Sequence, residues 1–415
     1  MDNMDIPSCG NAGVTALREM AREMESNLHD NILAYWLDRM TDPRGGFYGR
    51  RDGHDRLDTE APRGCILNAR LLWTLSAAAR RYPKMTRYAE AARRQARWLI
   101  DRLIDRRHGG CYWSVTPDGE RLDGKKQFYA IAFAIYGLTE YYRLSGDEEA
   151  LREAVALFEV IETRSRDRVR GGYLEAANED WSPIGDMRLS DKDLNSSKTM
   201  NTHLHILEAY TNLLRVYPTP ECREATASLI SLFLDRIIDA ESGHMGLFFD
   251  DDMHRVDRGI SYGHDIEASW LLLEAAQVVG DEALTARTLE ATRRMAAAAL
   301  EGLTPDGSMV YERHEDGRLD EERHWWVQAE CVVGLLWLAR YHGDTEAPLK
   351  ALRTWGYIRD NIVDRDNGEW LWSRLPDGTP NRRDDKAGFW KCPYHNGRMV
   401  LESVPILGRL CGSPA

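Results

Sequence analysis

The 415-residue sequence is short of cysteine, of long apolar runs and of positive charge, and each shortage excludes something. Its seven cysteines (Cys9, Cys65, Cys111, Cys222, Cys331, Cys392, Cys411) are odd in number, scattered, and form no Cys-x-x-Cys pair. They read as reduced, mostly buried thiols of a cytoplasmic protein rather than a disulfide framework. The longest apolar run, Cys331 to Ala339, is far too short to span a bilayer, and the polar start Met1 to Asn11 has no secretory apolar region. A net charge of -13 argues against nucleic acid as a partner. Gly-rich phosphate loops and Gly-x-Ser-x-Gly are missing, which disfavours nucleotide and serine-hydrolase chemistry.

What the chain does have is tryptophan, thirteen in all, and a repeated punctuation mark. Gly45-Gly46-Phe47-Tyr48, Gly109-Gly110-Cys111-Tyr112-Trp113, Gly171-Gly172-Tyr173, Gly246-Leu247-Phe248-Phe249, Gly307-Ser308-Met309-Val310-Tyr311 and Gly368-Glu369-Trp370-Leu371-Trp372 recur along the chain. Their spacing, about 60 to 75 residues, signals a repeat architecture. Four lead to an Asp-Gly (Asp52-Gly53, Asp118-Gly119, Asp316-Gly317, Asp377-Gly378), the signal of a tight hairpin with φ > 0 at both turn positions. The third and fourth copies lack it, which predicts longer or irregular loops there.

Between the marks lie twelve stretches of helical period: 14–40, 63–82, 86–105, 126–145, 147–165, 198–216, 221–238, 262–279, 282–301, 322–342, 346–363 and 393–409. Two helices per hairpin, six times over, predict an all-α (α/α)6 barrel with short β-hairpins in its loops, a single domain over 1–415. An open helical solenoid is the alternative; neither end has the polar face of a solenoid cap.

Unusual polar residues fall near the starts of the even-numbered helices: Arg70, then Asn201 with His203 and His205, then His264 with Glu267, then Trp325, Trp326 and Glu330, then Trp390 and His395. If the even helices line the barrel, these ends converge on one pocket, the default active-site hypothesis. His264 and Glu267, three apart, share a helix face, so Glu267 could orient the ring or share its proton. A histidine in a first turn is favoured as neutral imidazole and can accept a proton. His203 and His205 point roughly 200° apart, and His205 shares its face with Asn201 and Glu208, which favours His205 for the pocket and leaves His203 between helices. Arg70 has a plainer reading, a pair with a buried glutamate. No His or Cys set completes a metal site by local spacing, so no metal is expected.

The segments Asn201-Thr202-His203-Leu204-His205-Ile206-Leu207-Glu208-Ala209-Tyr210-Thr211-Asn212, Ser261-Tyr262-Gly263-His264-Asp265-Ile266-Glu267-Ala268-Ser269-Trp270 and Trp390-Lys391-Cys392-Pro393-Tyr394-His395-Asn396-Gly397-Arg398 resemble the N-acylglucosamine 2-epimerase superfamily, and within it the cellobiose 2-epimerases. The resemblance implies an (α/α)6 barrel and cofactor-free epimerisation at C2 of the reducing-end sugar of a β-1,4-linked disaccharide (cellobiose, mannobiose or lactose). It implies His264 and His395 as the acid/base pair, His205 at O1 and O5, Arg70 on the developing oxyanion and Glu267 supporting His264. Asn201, Trp325, Trp326, Glu330 and Trp390 would contact the sugar. The alternative within the superfamily is a monosaccharide 2-epimerase or aldose–ketose isomerase acting on mannose, glucose or fructose. A monomer is expected, with a dimer as the other possibility.

Overall fold

A computed structural model describes residues 11–412. Twelve helical rods alternate between two environments. The inner ones, α2 (Cys65–Arg81), α4 (Phe128–Ser145), α6 (Met200–Leu214), α8 (Tyr262–Val279), α10 (Trp325–His342) and α12 (Tyr394–Leu410), are buried over most of their circumference. Their sequences are nearly continuous in Ala, Leu, Ile and aromatics, as a helix enclosed on all sides must be. The outer ones keep a polar face. They are α1 (Asn11–Ser26, continuing through Asn27–Leu33 and Ala34–Arg39), α3 (Thr86–Trp98), α5 (Glu148–Arg164), α7 (Pro220–Leu232), α9 (Glu282–Ala299) and α11 (Ala347–Tyr357). Each inner helix packs on the next, and α12 packs back on α2, so the ring closes and the solenoid alternative falls. No described helix is long and apolar enough to cross a membrane.

The two ends of the barrel are built differently. At the far end, Gly146 and Gly280 close α4 and α8 in the left-handed conformation (φ 71° and 75°), and Asp147 and Asp281 cap the next helices at once. At the other end the outer helices α1, α3, α7 and α11 contain or run into a widened π-helical turn, and long loops lead to the next inner helix. These loops form a belt. The two residues before an inner helix pair antiparallel with a later hairpin: Arg63–Gly64 with Ser114–Val115, Lys126–Gln127 with Ala176–Ala177, Lys198–Thr199 with Phe248–Phe249, Ile260–Ser261 with Glu312–Arg313, and Arg323–His324 with Ser373–Arg374. An Arg51–Ala387 bridge joins last to first. Helices expected from residues 63, 126, 198 and 322 therefore start two or three residues later, because their leading residues are strand.

The hairpin turns differ from expectation too. Only one residue per turn has positive φ: Gly119, Gly317 and Gly378 in three copies, Asp55 (63°), Trp181 (69°) and Met253 (62°) in the others. In each, that residue's N–H reaches the carbonyl three residues back, as Gly119 to Thr116 (2.9 Å) and Trp181 to Asn178 (2.9 Å). The third and fourth turns are thus of the same kind as the others, but the third loop is longer, as expected, running on from Pro183 to Ser197 before the strand Lys198–Thr199; the fourth is not. Trp181 accepts the strained position because its indole donates to His108 O (2.7 Å), and Met253 because its side chain is buried. The six described cysteines are all buried and unbridged; Cys9 lies outside the described residues.

Candidate active site

A common register decides which side chains meet. Counted from the first residue of each inner helix (from Pro393 for α12), the sixth positions are Arg70, Phe133, His205, Glu267, Glu330 and Arg398. They cluster at the axis: the Arg70 guanidinium lies 4.1 Å from the Phe133 ring centre, Phe133 lies 4.8 Å from His205, and Arg398 donates to Glu267 and Glu330. The third positions, one turn nearer the mouth, include His264 and His395. The fourth point away from the axis, which is where His203 goes. Its Nδ1 lies 2.6 Å from Thr199 O and its Nε2 accepts the Tyr173 N–H (2.8 Å), so it pins a loop, as its spacing from His205 predicts.

Arg398 is the hub. Its Nη1 donates to Glu208 and its Nη2 to Glu267 and to Glu330 (2.7 Å), all fully buried. Glu208 also accepts from Tyr394 and pairs with His205 Nδ1 at 2.8 Å. Glu330 pairs with His395 Nδ1 at 2.7 Å and accepts from the Trp270 indole at 3.1 Å. Glu267, expected to hold His264, is instead bound to Arg398. The partner of His264 Nδ1 is the Ser261 hydroxyl at 2.8 Å. Ser261 occupies the N-cap position, yet its side chain makes no cap hydrogen bond, because it serves the histidine.

Arg70 has no glutamate partner among its hydrogen bonds. It donates to the Tyr129 hydroxyl (2.6 Å) and Trp390 O (3.4 Å), and Tyr394 and Phe133 flank it. A buried guanidinium that faces only rings and neutral oxygens is placed to meet an anion. The Trp326 ring lies 4.8 Å from His264 and 5.6 Å from His395. Trp325 packs on Trp372 (4.6 Å) and lies 6.4 Å from His395; Trp390 packs by Trp113 and Tyr129. Asn201 Oδ1, Trp325 Nε1, Arg70 Nε and Glu267 Oε2 are buried with no hydrogen-bond partner, polar atoms available to a hydroxylated ligand.

Burial, with His205 and the Arg70 charge nearby, pushes His264 down to about 3. His395 falls well below the usual histidine range through burial, Arg70 and Arg398, and burial lowers His205 too. All three are therefore neutral at pH 7, and burial rather than the helix dipole is the main cause. Burial and the neighbouring Glu330 raise Glu267 to about 8, against the opposing pull of Arg398. Burial acts to raise Glu208, but Arg398 and His205 outweigh it and bring it to about 2. Ligand atoms of Glu267, Glu330 and His395 lie within 4.8 Å of one another, close enough for a metal. Arg398 donates to both carboxylates, so the charge they neutralise is the guanidinium. Arg398, Tyr394 and Trp270 lie inside the segments that carry the resemblance, but no role for them was legible in the sequence, nor for Tyr129; aligning the six helices by register would have found Arg398.

The sequence pattern of N-acylglucosamine 2-epimerase (GlcNAc 2-epimerase) matches residues 46–396. A cellobiose 2-epimerase of Bacteroides fragilis is 52% identical over 385 residues, 92% of this chain and 98% of that one. The solved cellobiose 2-epimerase of Bacillus thermoamylovorans superimposes with a TM-score of 0.89 at 38% identity, covering 94% of this chain and 99% of its own. A D-mannose isomerase of Marinomonas mediterranea is 21% identical over 91% of this chain and 95% of its own length. With the pattern and near-complete coverage in agreement, the chain belongs to the N-acylglucosamine 2-epimerase family.

Proposed function

We propose that the chain, acting as one catalytic barrel over 1–415 and as a monomer, inverts C2 of the reducing-end sugar of a β-1,4-linked disaccharide such as cellobiose. The observation that carries this reading is the 52% identity, over nearly the whole of both chains, to a cellobiose 2-epimerase, against 21% to a D-mannose isomerase. The site chemistry supports it. In the open-chain aldose the C2 hydrogen is acidic because its loss gives an enediolate shared with the C1 carbonyl. His264 and His395 come from different helices and both contact Trp326, and such a pair would serve to take a proton from one face of C2 and return one to the other. The histidine that takes the proton becomes an imidazolium, and the one opposite, neutral at rest, first draws a proton from solvent and then delivers it to C2. Arg70 stabilises the developing negative charge. His205, held by Glu208, handles the proton at O1 and O5 in ring opening. Asn201, Trp325, Trp326 and Trp390 contact the sugar, whereas Glu330, expected among them, stands behind His395 with both oxygens engaged. No hydride moves, so the residues suffice without a redox partner.

The test is incubation with cellobiose in D₂O, followed by NMR. Glucosyl-β-1,4-mannose carrying deuterium at C2 is expected. Exchange confined to free mannose or glucose would turn the reading to the monosaccharide enzyme, and early product lacking deuterium would replace two bases by one.

A further inference from the structure

At the mouth, the outer helices lead into copies of one loop. Two backbone bonds define it: Asp105 N–H to Gly110 O and Gly109 N–H to Asp105 O (both 2.9 Å), repeated from Asp239 to His244 (2.8 Å) and from Asp364 to Glu369 (3.0 Å). The residue closing the loop is Gly46, Gly110 and Gly172 in the first three repeats. In the last three it is His244, Ser308 and Glu369, so the fourth mark, read in the sequence at Gly246, belongs at Gly243-His244. A side chain is excluded in the first three: a Cβ would stand 3.0 Å from Trp98, 2.9 Å from Trp181 and 2.8 Å from His203.

Where a side chain is present, it reaches the entrance of the next inner helix. His244 Nδ1 lies 2.7 Å from Asp265 Oδ2, and Asp265 Oδ1 accepts the Met245 N–H (3.0 Å). Glu369 accepts from Asn396 (2.9 Å) and pairs with Lys391. Asp265 directly follows His264, and Asn396 directly follows His395. The two repeats with a histidine in the third position are the two whose loops carry an ionisable side chain bonded to the next residue.

We infer that His244 is a positioning residue: through Asp265 it clamps the first turn of α8 and fixes where the His264 ring stands relative to C2. The inference rests on the proton-transfer reading of the site. His244 is itself buried, and its Nε2 faces Glu301 at the end of α9 at 3.5 Å, so neither nitrogen faces the site. A shift of the first turn would move His264 without removing it, and small misplacements of a reacting group are costly in rate.

The test compares His244→Ala, His244→Asn and Ser308→Gly for epimerisation of cellobiose, with C2 exchange in D₂O and melting curves. Asn keeps a donor where Nδ1 stands. Ser308→Gly empties the same loop position in a repeat without a third-position histidine. His244→Ala is expected to lose about tenfold or more in kcat with KM within about twofold. His244→Asn should recover most of that rate, and Ser308→Gly should match the parent. Parent-like kcat in folded His244→Ala, or a loss that Asn does not rescue, overturns the inference while leaving the functional reading intact. A parent protein that fails to exchange C2 of cellobiose overturns that reading first, and the inference with it.

Discussion

Three histidines reach the same mouth, but they lean on different partners. His205 and His395 present Nδ1 to carboxylates, Glu208 and Glu330, which share the Arg398 guanidinium. His264 presents Nδ1 to the Ser261 hydroxyl alone. Either partner fixes the ring and leaves Nε2 for the substrate, but only a carboxylate stabilises the imidazolium once a proton arrives. The two candidate bases are therefore chemically unequal. Both rings rest neutral, but only His395 has a carboxylate placed to stabilise the imidazolium it forms.

The strongest way to break that comparison is to remove the rings. His264→Asn and His395→Asn should each lower kcat by about 10²–10⁴-fold, measured as C2 exchange of cellobiose. Near-parent turnover in either would falsify that ring's role. The same ring shapes acid stability. His264 is held at about 3 against 6.5 in the unfolded chain, so the unfolded state binds the proton more readily. Its contribution is complete above pH 6.5 and is lost as pH falls towards 3, so His264→Asn should flatten the fall of melting temperature across that window.

The second break is at the hub. Arg398→Met leaves Glu208, Glu267 and Glu330 crowded without their cation, which should cost about 3–5 kcal/mol in urea unfolding. An unchanged unfolding midpoint would mean that the three carboxylates find other partners. The third sharpens the contrast between histidines. Glu330→Gln removes the anion behind His395 and leaves Ser261 behind His264, and a charge-assisted bond of about 1.5–3 kcal/mol predicts a kcat loss of about 10- to 100-fold. Since the lost anion favoured the imidazolium, the histidine value moves further down, and the acid limb of the rate profile shifts to lower pH.

The sequence showed the barrel because its signal is periodic. Six loops and twelve apolar-striped segments survive averaging over the chain. It showed His264, His395, His205, Arg70 and Glu330 because polar residues near the starts of apolar helices stand out, and helix geometry alone separated His205 from His203. Partner choice was not legible. A three-residue spacing put His264 and Glu267 on one face, but Arg398, 131 positions after Glu267, competes for that carboxylate with full charge. The turns at Trp181 and Met253 were hidden for a similar reason. Non-glycine residues hold positive φ there because contacts distant in sequence, His108 O for Trp181 among them, compensate the strain.

The smallest expected effect tests the comparison most finely. Ser261→Ala deletes one neutral hydrogen bond, worth about 0.5–1.5 kcal/mol, and so should slow turnover only about two- to tenfold. The ring would keep its Trp326 contact, and no charge is removed, so the pH profile should stay where it is while the rate falls. Glu330→Gln should move that profile. If Ser261→Ala instead shifts the profile as Glu330→Gln does, the hydroxyl relays charge to His264 from a carboxylate, and the two histidines are equivalent after all. If rate alone changes, the asymmetry holds: a hydroxyl only orients His264, while a carboxylate anchored on Arg398 also supports the imidazolium that His395 forms.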